Sequence, residues 1–553
     1  MSGRFVGLVT VVFAVTLAAL GQADHAHQHE RIGYVPREIM SRPVPLRTGI
    51  GKFHDPVTTA SAQAQKFYDQ GQSYLHSYVW IEAARSFHQA LRVDPKLAMA
   101  YVGLSYAYSP MDFAAARDAL EQAEKLSRNV SDRERARIEI RSRQLDAMLE
   151  PQNPDKMRAF QQAIDEALAS NRSDVSLLLM RGNAEEPSPF GDGQGCVPSG
   201  IPYYSKALET SPDNFAAHHY LAHCYENAGR IAEAIPHAEA YARLAPAIAH
   251  AQHMFGHDLR RSGRTLEAIA QFRKADEIER HYYENEKIPG FLDWHHAHNL
   301  ALLANCYQSI GQMKNAEKVL REEISLPSFT DYAMLNRSNW AIFLLNRGRF
   351  TEARRAAEAL QKLPSPLAQA AGYALAGQAD INLNLHDRAG SGLQSAKAIL
   401  PRLSPMDAAA VRPYVDLLDL MIRISRSGGE IDPAELQNTI ARIQAAANPD
   451  AWAQGLFQLE LLATFARRAG NWSIAETLAH ALVEHDPQYA GGHFSLALVA
   501  EHQSNGKAAN EEFAAAAKLW SNADQTLPDL NYARARLRQL KTSSPQPEIQ
   551  KIR

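Results

Sequence analysis

The sequence predicts an all-α protein built as a solenoid of antiparallel helix pairs. The histidine pair His219 and His223 recurs 34 residues later as His253 and His257, and 34 residues is the length of one helix–turn–helix unit. The chain has 553 residues, too many for a single compact core, which favours several domains or an extended array. The same period returns away from the histidines, where small and aromatic residues recur at fixed offsets.

Residues 1–23 have the features of a secretory signal peptide. Arg4 supplies the positive charge, residues 5–20 form an apolar run, and Ala23 ends a small-x-small cleavage pattern. The run is shorter than the roughly 20 residues of a membrane-spanning helix, which favours cleavage over an uncleaved anchor. We therefore expect a periplasmic or secreted protein without a membrane span after cleavage.

The mature chain is expected to begin with a histidine-rich extended leader over residues 24–60. His25, His27 and His29 alternate with other residues at its start. A short exposed histidine tract of this kind suggests metal capture, and a flexible start without a specific role is the alternative.

The rest of the chain divides by composition into helical segments and breaks. In order these are an N-terminal repeat and helical segment (61–182), a Gly/Pro-rich loop (183–200), a central array (201–365), atypical helical repeats (366–435), C-terminal repeats (436–525) and a tail (526–553). The tail is expected to be disordered from Thr542, where serine and proline accumulate. The net charge of −3 and the absence of a basic stripe argue against nucleic-acid binding.

The first repeat shows the pattern most fully. Its recurring positions are Phe67, Gly71, Tyr74, Ala83, Phe87, Ala90 and Pro95. Gly71 and Ala83 are small where two helices cross closely, and Phe87 fills the gap between them. This pattern resembles the tetratricopeptide repeat over roughly two-thirds of the chain. The resemblance implies a right-handed superhelix whose concave face binds a protein or peptide partner, or a small polar ligand.

Half of the 22 histidines lie between His218 and His298. In tetratricopeptide-repeat proteins, positions 2, 5 and 9 of the first helix line the concave face. The resemblance therefore implies one concave patch made of His219, His223, His250, His253, His257 and His298. Their spacing is also similar to that of a poorly characterised group of bacterial secreted tetratricopeptide-repeat proteins with a histidine-rich central pair of repeats.

The histidine patch suggests a divalent transition metal such as Zn, Cu, Ni or Fe. Neutral imidazole is a common ligand for these ions, and two imidazoles four residues apart on a helix chelate well. Neighbouring helix axes about 8–10 Å apart allow both helices to reach one ion. We predict that the ring nitrogens of His219, His223, His253 and His257 converge on one point, with His250 or His298 completing or flanking the shell.

Three alternatives to a metal-binding scaffold remain open at this stage. The patch could hydrogen-bond a peptide or glycan without metal, form the centre of a metal-dependent hydrolase or oxidoreductase, or contain only structural histidines. The sequence shows no firm nucleophile or acid, so catalytic residues stay unknown, although Glu226, Asp258 and Glu284 are nearby carboxylates. His295 and His296 are expected at the surface.

No disulfide is predicted from the three cysteines. Cys224 and Cys306 occupy the same repeat position two repeats apart, which exceeds the roughly 7 Å limit for a disulfide. We expect both to be small core residues, and Cys196 to be a free thiol in the Gly-rich loop.

Overall fold

The computed structural model describes residues 31–426, 431–445 and 449–543. Within them the strands are β1 (Arg31–Ile32) and β2 (Val35–Pro36), an antiparallel pair that precedes the first repeat. The remaining regular structure in these ranges is helical, which confirms the all-α fold class. The signal peptide and the leader histidines of residues 25–29 lie outside the described residues.

The chain forms two compact units. The first unit comprises residues 31–258 and 277–293, and the second comprises residues 259–276 and the described residues from 294 onward. Two of the three boundaries between the units fall inside helices, α12 (Ala249–Arg261) and α13 (Thr265–Glu286), and the third lies between residues 293 and 294. The predicted central array at 201–365 therefore contributes to both units.

Helices of the first unit alternate with short connections. They are α1 (Arg37–Ser41), α2 (Ala62–Leu75), α3 (Trp80–Val93), α4 (Ala98–Tyr108), α5 (Phe113–Leu126), α6 (Asp132–Leu149), α7 (Pro154–Ser170), α8 (Val175–Asn183), α9 (Ile201–Thr210), α10 (Phe215–Asn227) and α11 (Ile231–Leu244). Short 3-10 turns at Ser127–Asn129, Pro198–Gly200 and Gly290–Leu292 join some of them.

The second unit continues the same helical architecture. Its helices are α14 (Trp294–Ser309), α15 (Met313–Ser325), α16 (Asp331–Asn336), α17 (Ser338–Asn346), α18 (Phe350–Leu360), α19 (Pro366–Asn382), α20 (His386–Ile399), α21 (Pro405–Arg426), α22 (Pro433–Gln444), α23 (Pro449–Arg468), α24 (Trp472–His485), α25 (Ala490–His502), α26 (Gly506–Leu519) and α27 (Pro528–Ser543). Further 3-10 turns cover Leu400–Arg402 and Trp520–Asn522. No described helix is long and apolar enough to cross a membrane.

One buried ring explains the small residues of the first repeat. Phe87 on α3 is fully buried. A Cβ atom added to Gly71 on α2 would lie 2.5 Å from the Phe87 ring, and one added to Gly103 on α4 would lie 2.4 Å from it. Three successive helices therefore approach closely because glycine leaves room for a single aromatic side chain.

Local signals define the ends of the helix that carries the first histidine pair. The Asn214 side chain accepts a hydrogen bond from the Ala217 backbone N–H at 2.8 Å and caps the start of α10. Gly229 has a φ of +72°, a conformation that glycine adopts without strain, and it turns the chain into α11.

The first part of the tail is helical. Residues 528–543 form α27, and Leu530 and Ala533 on it are fully buried. These two apolar residues are three positions apart, so they lie on one helix face and pack against the second unit's C-terminal core. The serines and prolines that suggested disorder lie mainly after this helix, outside the described residues.

The cysteine prediction is wrong for two of the three residues. Cys196 and Cys224 form a disulfide with their Cα atoms 4.8 Å apart. The Gly/Pro-rich loop between α8 and α9 folds back onto α10, so Cys224 meets a loop cysteine rather than a residue of a neighbouring repeat. Cys306 is a buried free thiol, as expected.

Candidate metal centre

Three of the six candidate histidines meet inside the first unit. His219 and His223 lie one turn apart on α10, and His250 lies in the first turn of α12. Their exposed fractions are 0%, 5% and 4%, so the site is enclosed and does not line an open concave face. The four-residue spacing on α10 places both imidazoles on the face that meets His250.

The Nε2 atoms of these three residues, the His219 group, point toward one another. His219 Nε2 lies 3.1 Å from His223 Nε2 and 3.0 Å from His250 Nε2. The three ligand atoms all lie within 4.8 Å of one another. This arrangement is compact enough for a single ion to reach all three nitrogens.

A backbone carbonyl fixes the tautomer of His219. His219 Nδ1 lies 2.7 Å from the carbonyl oxygen of His76, and because a carbonyl only accepts, Nδ1 must donate. Burial, reinforced by the neighbouring His223, holds the pKa of His219 well below its ordinary value. His219 is therefore neutral near pH 7, with its Nε2 lone pair directed at His223 and His250.

Tyr78 covers the His219 group. The centroid of its ring lies 4.7 Å from that of His219, 6.0 Å from that of His223 and 5.0 Å from that of His250. Its hydroxyl donates to the carbonyl oxygen of Asp192 at 2.9 Å. Because Tyr78 belongs to the turn between α2 and α3, a residue far away in the sequence closes the site.

Tyr78 also has an unusual backbone. Its φ is 60°, whereas the corresponding turn in the repeat of α10 and α11 has Gly229 in a similar conformation. A tyrosine with this φ carries a steric cost of about 1–2 kcal/mol that glycine avoids. A bulky residue at a repeat position that favours glycine is the one sequence signal that would have pointed to Tyr78.

The second histidine pair lies apart from the His219 group. His253 Nε2 and His257 Nε2 are 3.0 Å apart, and His257 Nδ1 lies 3.1 Å from Glu226 Oε1. The rings of His250 and His253 stack with centroids 5.8 Å apart. Instead of the predicted set of four nitrogens at one point, the first unit thus contains a group of three and a neighbouring pair with its own carboxylate.

The structure also places the remaining histidines and carboxylates singled out from the sequence. His298 belongs to the second unit, where its ring stacks on Trp294 with centroids 5.9 Å apart. His295 and His296 are 4% exposed each, so the surface prediction for them is wrong. Both lie at the start of α14, a helix whose residues are mostly buried. Of the other two nearby carboxylates, Glu284 is exposed and Asp258 is buried.

Comparisons with known proteins identify the repeat. Models of the tetratricopeptide repeat match residues 203–235, which include His219 and His223, and residues 461–524. No curated protein matches the chain significantly.

Similar solved structures include yeast Tom70, with 15% identity over 87% of this chain and 96% of that one and a TM-score of 0.29. The APC/C hetero-tetramer Cut9–Hcn1 is similar at 12% identity over the same shares of the two chains, with a TM-score of 0.30. The two family-model matches, one in each unit, show that the chain contains tetratricopeptide repeats.

Proposed function

We propose that this protein is an exported tetratricopeptide-repeat scaffold that binds a divalent transition-metal ion through the Nε2 atoms of the His219 group. The observation that carries the proposal is the convergence of three imidazole nitrogens around a His219 ring whose Nδ1–H is held by the His76 carbonyl. Metal-ligating histidines commonly donate their second ring N–H to such a carbonyl, which directs the other nitrogen at the ion.

Hydrogen bonding alone accounts less well for the three nitrogens. The Nε2 atom of neutral His219 has one lone pair, yet two ring nitrogens lie within 3.0–3.1 Å of it. Tetrahedral ligands at Zn–N distances near 2.0–2.1 Å are about 3.3–3.4 Å apart. Small outward movements of the rings would therefore suit an ion that shares all three lone pairs.

The burial of the site favours a structural ion over a catalytic one. A catalytic metal needs an open coordination position and a route for substrate. Here His219 is fully buried and the Tyr78 ring lies against all three imidazoles. We infer that the ion would join α10 to α12, while tetratricopeptide repeats of the scaffold serve protein interaction.

Export to the periplasm or the medium is part of the proposal. The signal-like features of residues 1–23 motivate it. The Cys196–Cys224 disulfide supports it, because disulfides persist mainly in oxidising compartments. Mass spectrometry of the mature protein should show Asp24 as the first residue, and an intact Met1 would contradict export with cleavage.

Metal analysis of untagged protein tests the site. We expect wild-type protein to retain more Zn, Cu, Ni or Fe per chain than the His250→Gln variant, and its melting temperature to rise with added metal. His218→Ala is the matched control, because His218 is on the same helix but its ring contacts His237 and the Pro212 carbonyl. Equal metal content in wild type and His250→Gln would overturn the proposal. Metal bound by the leader histidines does not affect this comparison, because both proteins contain the leader.

A further inference from the structure

The first unit encloses a second feature that the metal proposal does not use. A cavity of about 70 Å³ lies among α2, α3, α4, α6, α7, α8, α10 and the loop after α8. At 10–15 Å³ for each water, it has room for about five to seven water-sized atoms. Its aromatic lining comprises His76, Trp80, Tyr106, Phe160, Phe190 and Tyr220.

Arg141 brings a buried positive charge to this cavity. Its side chain is 1% exposed and lines the cavity. The guanidinium donates to the Ser105 hydroxyl at 3.0 Å, to the Ser105 carbonyl at 2.8 Å and to Gln144 Oε1 at 2.7 Å, as well as to the Ser109 hydroxyl. All of these acceptors are neutral, and no carboxylate among the described residues pairs with Arg141.

The Arg141 charge is retained at neutral pH. Burial lowers the pKa of Arg141 to about 10, still far above 7. The guanidinium lies 4.0 Å from the centroid of the Tyr106 ring, which offsets part of the cost of burial. A buried cation without a counter-ion is unusual, because buried charges are generally paired.

Arg137, one turn earlier on α6, provides an internal comparison. It is 2% exposed and lines the same cavity, but its guanidinium pairs with Asp55. Its Nε atom has no hydrogen-bond partner. The cavity thus contains one neutralised guanidinium with a spare donor and one guanidinium whose charge is not balanced.

One carboxylate, Asp192, also lines the cavity. Asp192 Oδ1 accepts a hydrogen bond from the Gln194 backbone N–H at 3.0 Å, and Asp192 forms no ion pair with Arg141. Burial raises the pKa of Asp192 to about 6. Asp192 therefore does not supply the counter-ion for Arg141.

We infer that this cavity binds a short-chain organic carboxylate whose carboxylate group pairs with Arg141. Four of the five N–H bonds of the Arg141 guanidinium are already engaged, which leaves one Nη1–H to donate a charge-assisted hydrogen bond to the carboxylate. The aromatic walls favour an apolar body over a hydrated inorganic anion, and the volume limits the ligand to a few atoms. This site is distinct from the His219 group and uses none of its three ligands.

Calorimetry with butyrate and its neutral analogue butyramide tests the inference on full-length protein. Butyrate should bind saturably and butyramide at least ten times more weakly. The Arg141→Gln variant should lose butyrate binding, whereas Arg143→Gln should keep it, because Arg143 lies on the same helix but pairs with Glu139 in solvent. The metal content should be the same in both variants.

A second variant covers the case in which Arg141→Gln does not fold. Met180 lines the cavity and is half-buried, so Met180→Trp should fill the space and abolish butyrate binding while the circular dichroism stays helical. Equal binding of butyrate and butyramide, binding of inorganic phosphate in preference to butyrate, or no binding of either to wild type would overturn the inference.

Discussion

The repeat of α10 in the first unit and the repeat of α25 in the second each have a histidine at one equivalent position. His218 and His493 occupy the same repeat position, and each Nε2 donates to the carbonyl of the proline six residues earlier, at 3.1 Å and 3.0 Å. The agreement extends to their Nδ1 atoms, which contact the second helix of the repeat at His237 and Glu512. A histidine at this position is therefore part of the repeat architecture.

The next repeat positions differ in chemistry. Where α10 has His219 and His223, α25 has Phe494 and Leu498. The Phe494 ring packs on Trp520 with centroids 5.5 Å apart, in an apolar core. Another repeat has a buried phenylalanine and a partly buried leucine at these positions. Burying imidazoles there instead costs desolvation, so their presence in the first unit favours a function beyond packing.

The largest expected effect comes from giving α10 the side chains of α25. In His219→Phe with His223→Leu, the metal-dependent rise in stability should vanish. At a metal concentration about 1,000 times the Kd, that loss is about 4 kcal/mol. Thermal unfolding with and without zinc measures it, and His218→Ala should keep the metal response. An unchanged zinc response in the double variant would show that His219 and His223 do not bind zinc. The two repeats would then differ only in packing at these positions.

The reverse exchange should be the next largest effect. Phe494→His places an imidazole in the apolar core around Trp520 and removes part of a buried ring. We expect a loss of about 3 kcal/mol in the free energy of unfolding, without any response to metal. Urea unfolding of the variant measures the loss. A stable variant that binds zinc would mean that the repeat position alone, and not the surroundings of His219, creates the site.

The sequence predicts which histidines share a helix face better than it predicts which distant residues surround them. Regular spacing locates helices and places His219 and His223 on one face, because both depend on residues close in the chain. The carbonyl of His76 and the ring of Tyr78 reach the site from the turn after α2. A bulky residue at a position that favours glycine singles out Tyr78, but no local pattern encodes which distant residues it contacts. The disulfide of Cys196 was missed for the same reason, because an irregular loop has no periodicity.

A buried ion pair of the first unit should make the free energy of unfolding fall in acid. Burial alone would raise the pKa of Asp55, but Arg137 and Arg133 outweigh it and lower the pKa to about 2. A lowered carboxyl pKa stabilises the fold above its ordinary value of about 4, and this contribution is lost as the pH falls toward 2. We expect it to be about 2 kcal/mol.

Unfolding of wild type and Asp55→Asn at several pH values checks the Asp55 prediction. The difference in free energy between the two proteins should be constant above about pH 5 and shrink below pH 4. Asp132 provides the control, because it pairs with Arg135 but its side chain is 95% exposed, so Asp132→Asn should have little effect at any pH. A pH-independent difference for Asp55→Asn would contradict the assignment.

The smallest expected effect concerns His218 and His493, the histidines at the equivalent position of the two repeats. His218→Ala and His493→Ala each remove a donor to a proline carbonyl, which should cost about 1 kcal/mol and leave metal binding unchanged. Salt should separate the two variants. His493 Nδ1 lies 2.7 Å from a Glu512 carboxylate oxygen, whereas His218 contacts the uncharged ring of His237. Because salt screens a contact with a partly exposed carboxylate more than a contact between two imidazole rings, only the His493 contribution should fall when unfolding is repeated at high ionic strength. Equal salt dependence would indicate that the Glu512 contact adds nothing to the shared architectural role.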